Sequence, residues 1–167
     1  MDQTTQTFGQ GAFGQEATEA RQAEARQAAL RVLARAEADE LATGLESIAD
    51  RPEMETLRAP EFGLVMARGR IGGSGAPFNL GEVTVTRAAL RLPTGEVGQG
   101  HVLGRDRRRA VLVATLDALW QSRPYRPAVE RIVEKIRARL DAGEARKRTE
   151  TAATKVNFFT MVRGEDT

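Results

Sequence analysis

The spacing of apolar residues changes along the chain, from helical to alternating and back to helical. Ala29, Val32, Leu33 and Ala36 form one helical stripe, widened by Leu30, and Leu41, Leu45 and Ile48 form a second. Asp39 stands where it can cap the second helix, and Pro52 marks its end. From Met54 the period falls to two. Met54 to Ala59 and Phe62 to Ile71 predict two strands around Pro60, the second with both faces apolar enough to be partly covered. Gly81 to Leu92 predicts a long strand with a change of parity: Val83 and Val85 occupy one face, Leu90 and Leu92 the other. A β-bulge between Thr86 and Ala89 would bring both halves to one core. Pro93-Thr94-Gly95 suits a tight hairpin, and Val97 to Leu103 returns as the next strand. Helical spacing resumes with Leu112, Leu116, Leu119 and Trp120 in Ala110 to Gln121. It continues with Val129, Ile132, Val133, Ile136 and Leu140 in Tyr125 to Arg148.

These elements predict an α+β fold: a small antiparallel sheet of about four strands, an N-terminal helical hairpin, C-terminal helices and an extended C-terminal tail. Residues 1–15 are polar, glycine-rich and without period, and read as a flexible leader. Residues 16–155 read as a single domain, and residues 156–167 as an apolar docking tail beyond the polar stretch Asp141 to Thr154. Phe158, Phe159 and Met161 need a place to dock, on this chain's own sheet or on a neighbouring subunit within reach of that stretch. They are the candidate partner-docking residues.

Nine of the 16 glycines lie between Gly69 and Gly104. Such density implies tight turns, bulges or the close approach of another backbone. Gly72-Gly73-Ser74-Gly75 lacks the Gly-Lys-Ser/Thr ending of a phosphate-binding loop and precedes no predicted helix, so it reads as a turn.

Composition narrows the chemistry. Aromatic residues make up 5% of the chain, and four of them (Phe8, Phe13, Phe158, Phe159) lie outside the central body. A core so poor in large residues is expected to be completed against a partner. The absence of cysteine excludes disulfides, iron–sulfur ligation and thiol catalysis by this chain, and one histidine is too few for a self-contained zinc site. No cofactor or metal is expected on it. No apolar run is long enough to span a membrane and no secretory signal opens the sequence, so a cytoplasmic location is expected. Arginine outnumbers lysine 22 to 3, which favours planar, bidentate contacts over a generic solubilising surface.

His101 ends the last predicted strand on the face of Val97 and Leu103, where a hydrogen-bonded core role is expected ahead of a catalytic one. Arg105, Arg107, Arg108 and Arg109 then head a helix, where cations oppose the macrodipole by about a few tenths of a kcal/mol each. Asp106 offsets only part of this. The conflict points to a phosphate or an acidic partner surface, the alternative being a solvated charged cap. Arg87, His101, Arg105 and Arg108 are the candidate anion or partner contacts.

RAPEFGLV at Arg58–Val65, RIGGSG at Arg70–Gly75, PFNLGE at Pro77–Glu82, TVTRAA at Thr84–Ala89, Gly104-Arg105-Asp106 and FFTMVRG at Phe158–Gly164 form a set. Together they resemble the PhnG family, the G subunit of the bacterial carbon–phosphorus lyase system. The likeness runs from Arg21 to Glu165, and the final stretch is its most specific part, because no generic fold needs it. The chain departs from the pattern in residues 1–15, and at Phe62 and Ser74, where threonine is common.

The resemblance implies a subunit of a two-fold hetero-oligomer with the H, I and J components. With H, I and the ATPase-like L component, such a subunit takes part in displacing adenine from ATP by a phosphonate. The product is α-D-ribose 1-methylphosphonate 5-triphosphate. Radical cleavage of the carbon–phosphorus bond belongs to J, which carries an iron–sulfur cluster, and a cysteine-free G subunit agrees with that division. The resemblance carries no catalytic residue onto this chain, and ATP is a substrate of the complex. The leading reading is therefore an obligate, non-catalytic subunit of a transferase complex. The alternative is a basic α+β module binding RNA through Arg68, Arg70, Arg87, Arg91 and the Arg105–Arg109 cluster. Residues 59–123 hold nine arginines against five acids. Lysine is scarce and no exposed aromatic is expected on the strands, so nucleic acid is the weaker candidate.

Overall fold

A computed structural model describes residues 10–70 and 75–153. Its elements are α1 (Gln10–Leu33), α2 (Ala38–Glu46), β1 (Glu55–Arg70), β2 (Pro77–Arg91), β3 (Val97–Leu103), α3 (Arg107–Gln121) and α4 (Arg126–Ala153). The class is α+β as expected, but the described sheet has three antiparallel strands in the order β1-β2-β3 rather than about four. Pro60 accounts for the difference. It lies where the β1 register shifts between Arg58 and Glu61, and a bulge on an edge strand tolerates a residue without an N–H. The two strands predicted around it are one.

The bulge expected between Thr86 and Ala89 is absent. β2 pairs with β3 in unbroken register from Val85↔Leu103 to Arg91↔Val97, and the irregularities against β1 lie at Thr56/Arg58, Arg58/Glu61 and Ala67/Arg68. The parity change has another cause. Thr86, Ala88, Leu90 and Leu92 are buried under the helices, whereas Val83 and Val85 sit half-buried on the opposite face.

The inner face of β3 is nearly bare: Gly98 and Gly100 alternate with outward-pointing residues. A Cβ on Gly98 would sit 1.9 Å from the carbonyl oxygen of Ala114, and one on Gly100 would sit 2.0 Å from that of Ala110. At Gly98 and Gly100 the cause is one of those expected, the close approach of another backbone, whereas Gly95 and Gly104 take positive φ. With Ala110, Ala114 and Ala118 facing the glycines, α3 lies directly on the strand. Its other sides carry Val113, Leu116 and Leu119, all buried, and α1, α2 and α4 pack against it. A helix apolar around its whole circumference belongs in the interior. Each large side chain buried there is worth about 1.5–3 kcal/mol.

Side chains meet the outer edge of β3 at Val97 and Gln99. Asp117, 1% exposed, accepts hydrogen bonds from Arg26 Nε (2.9 Å), Arg26 Nη2 (2.6 Å) and the Gln99 N–H (2.8 Å). Arg26 and Gln121 both donate to the carbonyl of Val97, at 3.0 and 2.8 Å. The Asp117 hydrogen bond, opposed by desolvation, holds the Arg26 pKa above its ordinary value.

The helical boundaries depart from expectation at three points. α1 begins at Gln10, inside the stretch read as a leader, while residues 1–9 lie outside those described. The N-cap of α2 is Glu37, with Asp39 in its first turn. α4 continues to Ala153, so most of the expected polar spacer is helix, tied to the turn between α1 and α2 by the Arg35–Glu144 ion pair. Phe158, Phe159 and Met161 lie outside the described residues.

Candidate partner interface

β1 and β2 are 16 and 15 residues long, β3 only seven. β3 covers β2 from Arg91 to Val85, and the β1–β2 ladder continues past it to Arg70↔Pro77. The result is a two-stranded arm. No residue of β1 is buried. Phe62 at the base of the arm, and Leu64 (62% exposed), Val65, Met66 (52%), Phe78 and Leu80 (63%) along it, meet solvent. Phe62, Leu64 and Met66 oppose Thr86, Thr84 and Glu82, so they continue the face that the helices cover further along the sheet. Val65 opposes Val83 on the other face. The partial cover expected for this strand reaches Gly63, Ala67 and Gly69, which are half-buried, but not Leu64, Val65 or Met66. A chain exposing large apolar side chains on both faces of one element carries the signature of a surface made for another protein.

α3 is aimed at the base of the arm by a small clip. Gly104 takes φ +91°, its N–H donates to the Thr84 carbonyl at 2.9 Å, and the buried Thr86 hydroxyl donates to the Gly104 carbonyl at 2.7 Å. The same hydroxyl accepts from the Asp106 N–H at 3.1 Å. Asp106 then caps α3 by accepting from the Arg109 N–H at 2.8 Å. The arginine head is answered from outside its own segment. Arg108 pairs with Asp39 at 2.6 Å, Arg109 donates to the Leu103 carbonyl at 2.7 Å, and Arg107 lies 4.7 Å over the Phe62 ring. Arg105 alone of the four has no partner among the described residues.

The four predicted contacts do not converge. Arg87 and His101 are register partners across β2 and β3, whereas Arg105 lies in the β3–α3 connection and Arg108 turns toward α2. His101 is exposed, not the core histidine expected, because the core face of β3 belongs to Gly98, Gly100 and Val102. It borders a cavity of about 320 Å³ with Arg26, Gln27, Leu30 and Gln99. A larger groove of about 710 Å³ separates α2 from α4, floored by Ile132 and Ile136 and spanned by the Arg139–Glu40 pair at 2.9 Å. No group of three His, Cys, Asp or Glu that could hold a metal occurs among the described residues, and no described helix is long and apolar enough to cross a membrane.

Arg87 is engaged with Glu61 (2.8 Å), which also takes a hydrogen bond from Arg58 (2.7 Å). Arg58 first, and then Arg87, hold the Glu61 carboxyl below its ordinary pKa. The stabilisation from this lowered pKa is complete at neutral pH and is lost as pH falls through the Glu61 titration. Arg58→Ala is expected to raise the Glu61 midpoint, and Arg87→Ala to raise it less. A carboxyl-resolved NMR titration measures this, and an unmoved midpoint in Arg58→Ala contradicts it.

Sequence reasoning overlooked the arm as a site, although Phe62, Leu64, Met66, Phe78 and Leu80 were all in view. The exposed rings of Phe62 and Phe78 also correct the expectation that no aromatic stands free on the strands. The family described as "Phosphonate metabolism protein PhnG" matches residues 24–164. The chain belongs to the PhnG family. It is 58% identical over 137 residues to a protein of Rhizobium meliloti (strain 1021) called "Alpha-D-ribose 1-methylphosphonate 5-triphosphate synthase subunit PhnG". That alignment covers 82% of this chain and 88% of the relative. In this PhnG-family chain, four of the quoted stretches meet in one region. RAPEFGLV and PFNLGE build the arm, while TVTRAA and Gly104-Arg105-Asp106 set its base and the start of α3.

Proposed function

We propose that this chain is a subunit of a synthase that joins a phosphonate to the ribose of ATP. In that reaction an oxygen of methylphosphonate bonds to C1′ as the C1′–N9 bond breaks, and adenine leaves with a proton. The product is α-D-ribose 1-methylphosphonate 5-triphosphate. The chain acts in the cytoplasm with the H, I and L components and assembles with H, I and J as a two-fold hetero-oligomer. It binds no cofactor itself, and ATP is a substrate of the complex.

The observation that carries this reading is the two-faced apolar arm in a chain that is 58% identical to a protein named as a synthase subunit. Its own contribution is assembly. Displacing a nucleobase calls for a positioned acid at the leaving group and cations at the triphosphate. Among the described residues the candidate cations are dispersed, and Arg87 and Arg108 are already paired with carboxylates. Purifying the tagged full chain from its native host and identifying bound proteins tests membership. Adenine release from ATP and methylphosphonate, with and without the chain, tests its role. Release is expected to fall to background without it. Full release in its absence, or purification of the chain with no partner subunit, overturns the proposal.

A further inference from the structure

The sheet has two edges, and side chains cover part of one of them. On β3 the outward Val97 C=O is met by Arg26 and Gln121, the Gln99 N–H by Asp117 and the Leu103 C=O by Arg109. Odd-numbered residues of β3 therefore point away from β2, and in an antiparallel ladder the even-numbered ones exchange bonds with it. The Gly104 N–H donating to the Thr84 carbonyl agrees, placing the even-numbered residues of β2 toward β3. Odd-numbered residues of β2 then turn to β1, where their partners are Glu61, Gly63, Val65 and Ala67. The N–H and C=O groups of Phe62, Leu64 and Met66 are left on the open outer edge. No other described strand pairs there.

An edge of this kind, regular and apolar, is what soluble proteins blunt with charges, bulges or a cover. Here the shifts at Arg58/Glu61 and Ala67/Arg68 bound the stretch, but leave Glu61 to Ala67 in even register. We propose that this edge is a docking strand, on which an extended segment of another subunit of the same synthase adds a fourth strand to the sheet. The inference rests on the subunit reading above and assigns it a surface.

Charge selects the occupant. Arg107 lies over Phe62 at one end of the stretch and Arg68 follows Met66 at the other. Neither has a carboxylate partner among the described residues. The complementary segment carries apolar side chains at alternate positions and carboxylates at both ends. A second copy of this chain fits poorly. Antiparallel self-pairing about Leu64 would bring Arg68 of each copy to the Arg107–Phe62 end of the other, placing like charges together.

The test uses the full chain co-expressed with the other subunits of its synthase. Leu64→Pro deletes an outward N–H while leaving the β1–β2 bonds intact, and Leu64→Ala trims the side chain but keeps the N–H. Leu64→Pro is expected to weaken partner capture by about tenfold or more, and Leu64→Ala by less. Amide exchange at Phe62, Leu64 and Met66 is expected to slow by about tenfold or more in the wild-type complex, and this reading stands even if the proline variant misfolds. Wild-type capture by a folded Leu64→Pro variant, or unchanged exchange at those amides, overturns the docking strand and leaves the subunit reading in place. Failure of the wild-type chain to capture any subunit overturns both. Protection of the same amides in the chain alone, with a doubled mass, replaces the hetero-partner with a second copy.

Discussion

Asp117→Ala is expected to destabilise the chain by about 3–5 kcal/mol, the range for removing one partner of a buried, hydrogen-bonded charge pair. The carboxylate is 1% exposed and accepts from Arg26 twice and from the Gln99 N–H once. Its loss leaves a backbone donor on the edge of β3 with nothing to meet, and a guanidinium pressed against α3 without its counter-charge. Arg26 is partly open to water, with 31% of its side chain exposed, so solvent relieves some of its share. The Gln99 N–H loses the acceptor that it has in Asp117. Arg26→Ala should therefore cost less than Asp117→Ala. The double variant should cost less than the sum, because the two residues act on one network. Denaturant unfolding of the three variants decides this. An Asp117→Ala loss under about 1 kcal/mol would show that water replaces the network.

That network also marks a limit of sequence reading. Asp117 sits in the middle of a helix that otherwise reads as apolar, and its partners lie 91 and 18 positions away. The arginine head of α3 has the same character. The macrodipole conflict was legible, but its resolution depends on Asp39 and Phe62, which only the folded chain brings near. Local features transferred well. The stripe Ala29, Leu33, Ala36 is buried, as are Leu41 and Ile48, and Pro93-Thr94-Gly95 makes the hairpin, with Gly95 at φ +105°. The open arm was the hardest part to read. A strand apolar on both sides has the same alternation whether its cover is its own domain or another chain. Periodicity reports that Leu64 and Val65 want cover. It does not report who provides it.

Gly100→Ala is expected to cost about 3 kcal/mol, at the upper end for overpacking, because the obstruction is backbone. The new methyl would lie 2.0 Å from the Ala110 carbonyl oxygen, 2.9 Å from its carbon and 3.0 Å from the Ala114 nitrogen. None of these atoms can turn aside as a side chain does. Only an outward displacement of α3 makes room, and α3 is held on its other sides by the packing of Val113, Leu116 and Leu119. Two controls separate this mechanism from a general intolerance of alanine. Gly95→Ala meets no atom within 4 Å and strains only the φ of +105°, so it should cost about 1–2 kcal/mol. Ala114→Gly should fail to rescue Gly100→Ala, since trimming a methyl leaves the obstructing backbone in place. Gly98→Ala with Gly100→Ala should cost less than the sum, because one movement of the helix accommodates both. The same movement draws Arg107 away from Phe62, so partner capture should weaken alongside stability. A Gly100→Ala chain that unfolds at the wild-type denaturant concentration would show that α3 does not rest on the glycine face of β3.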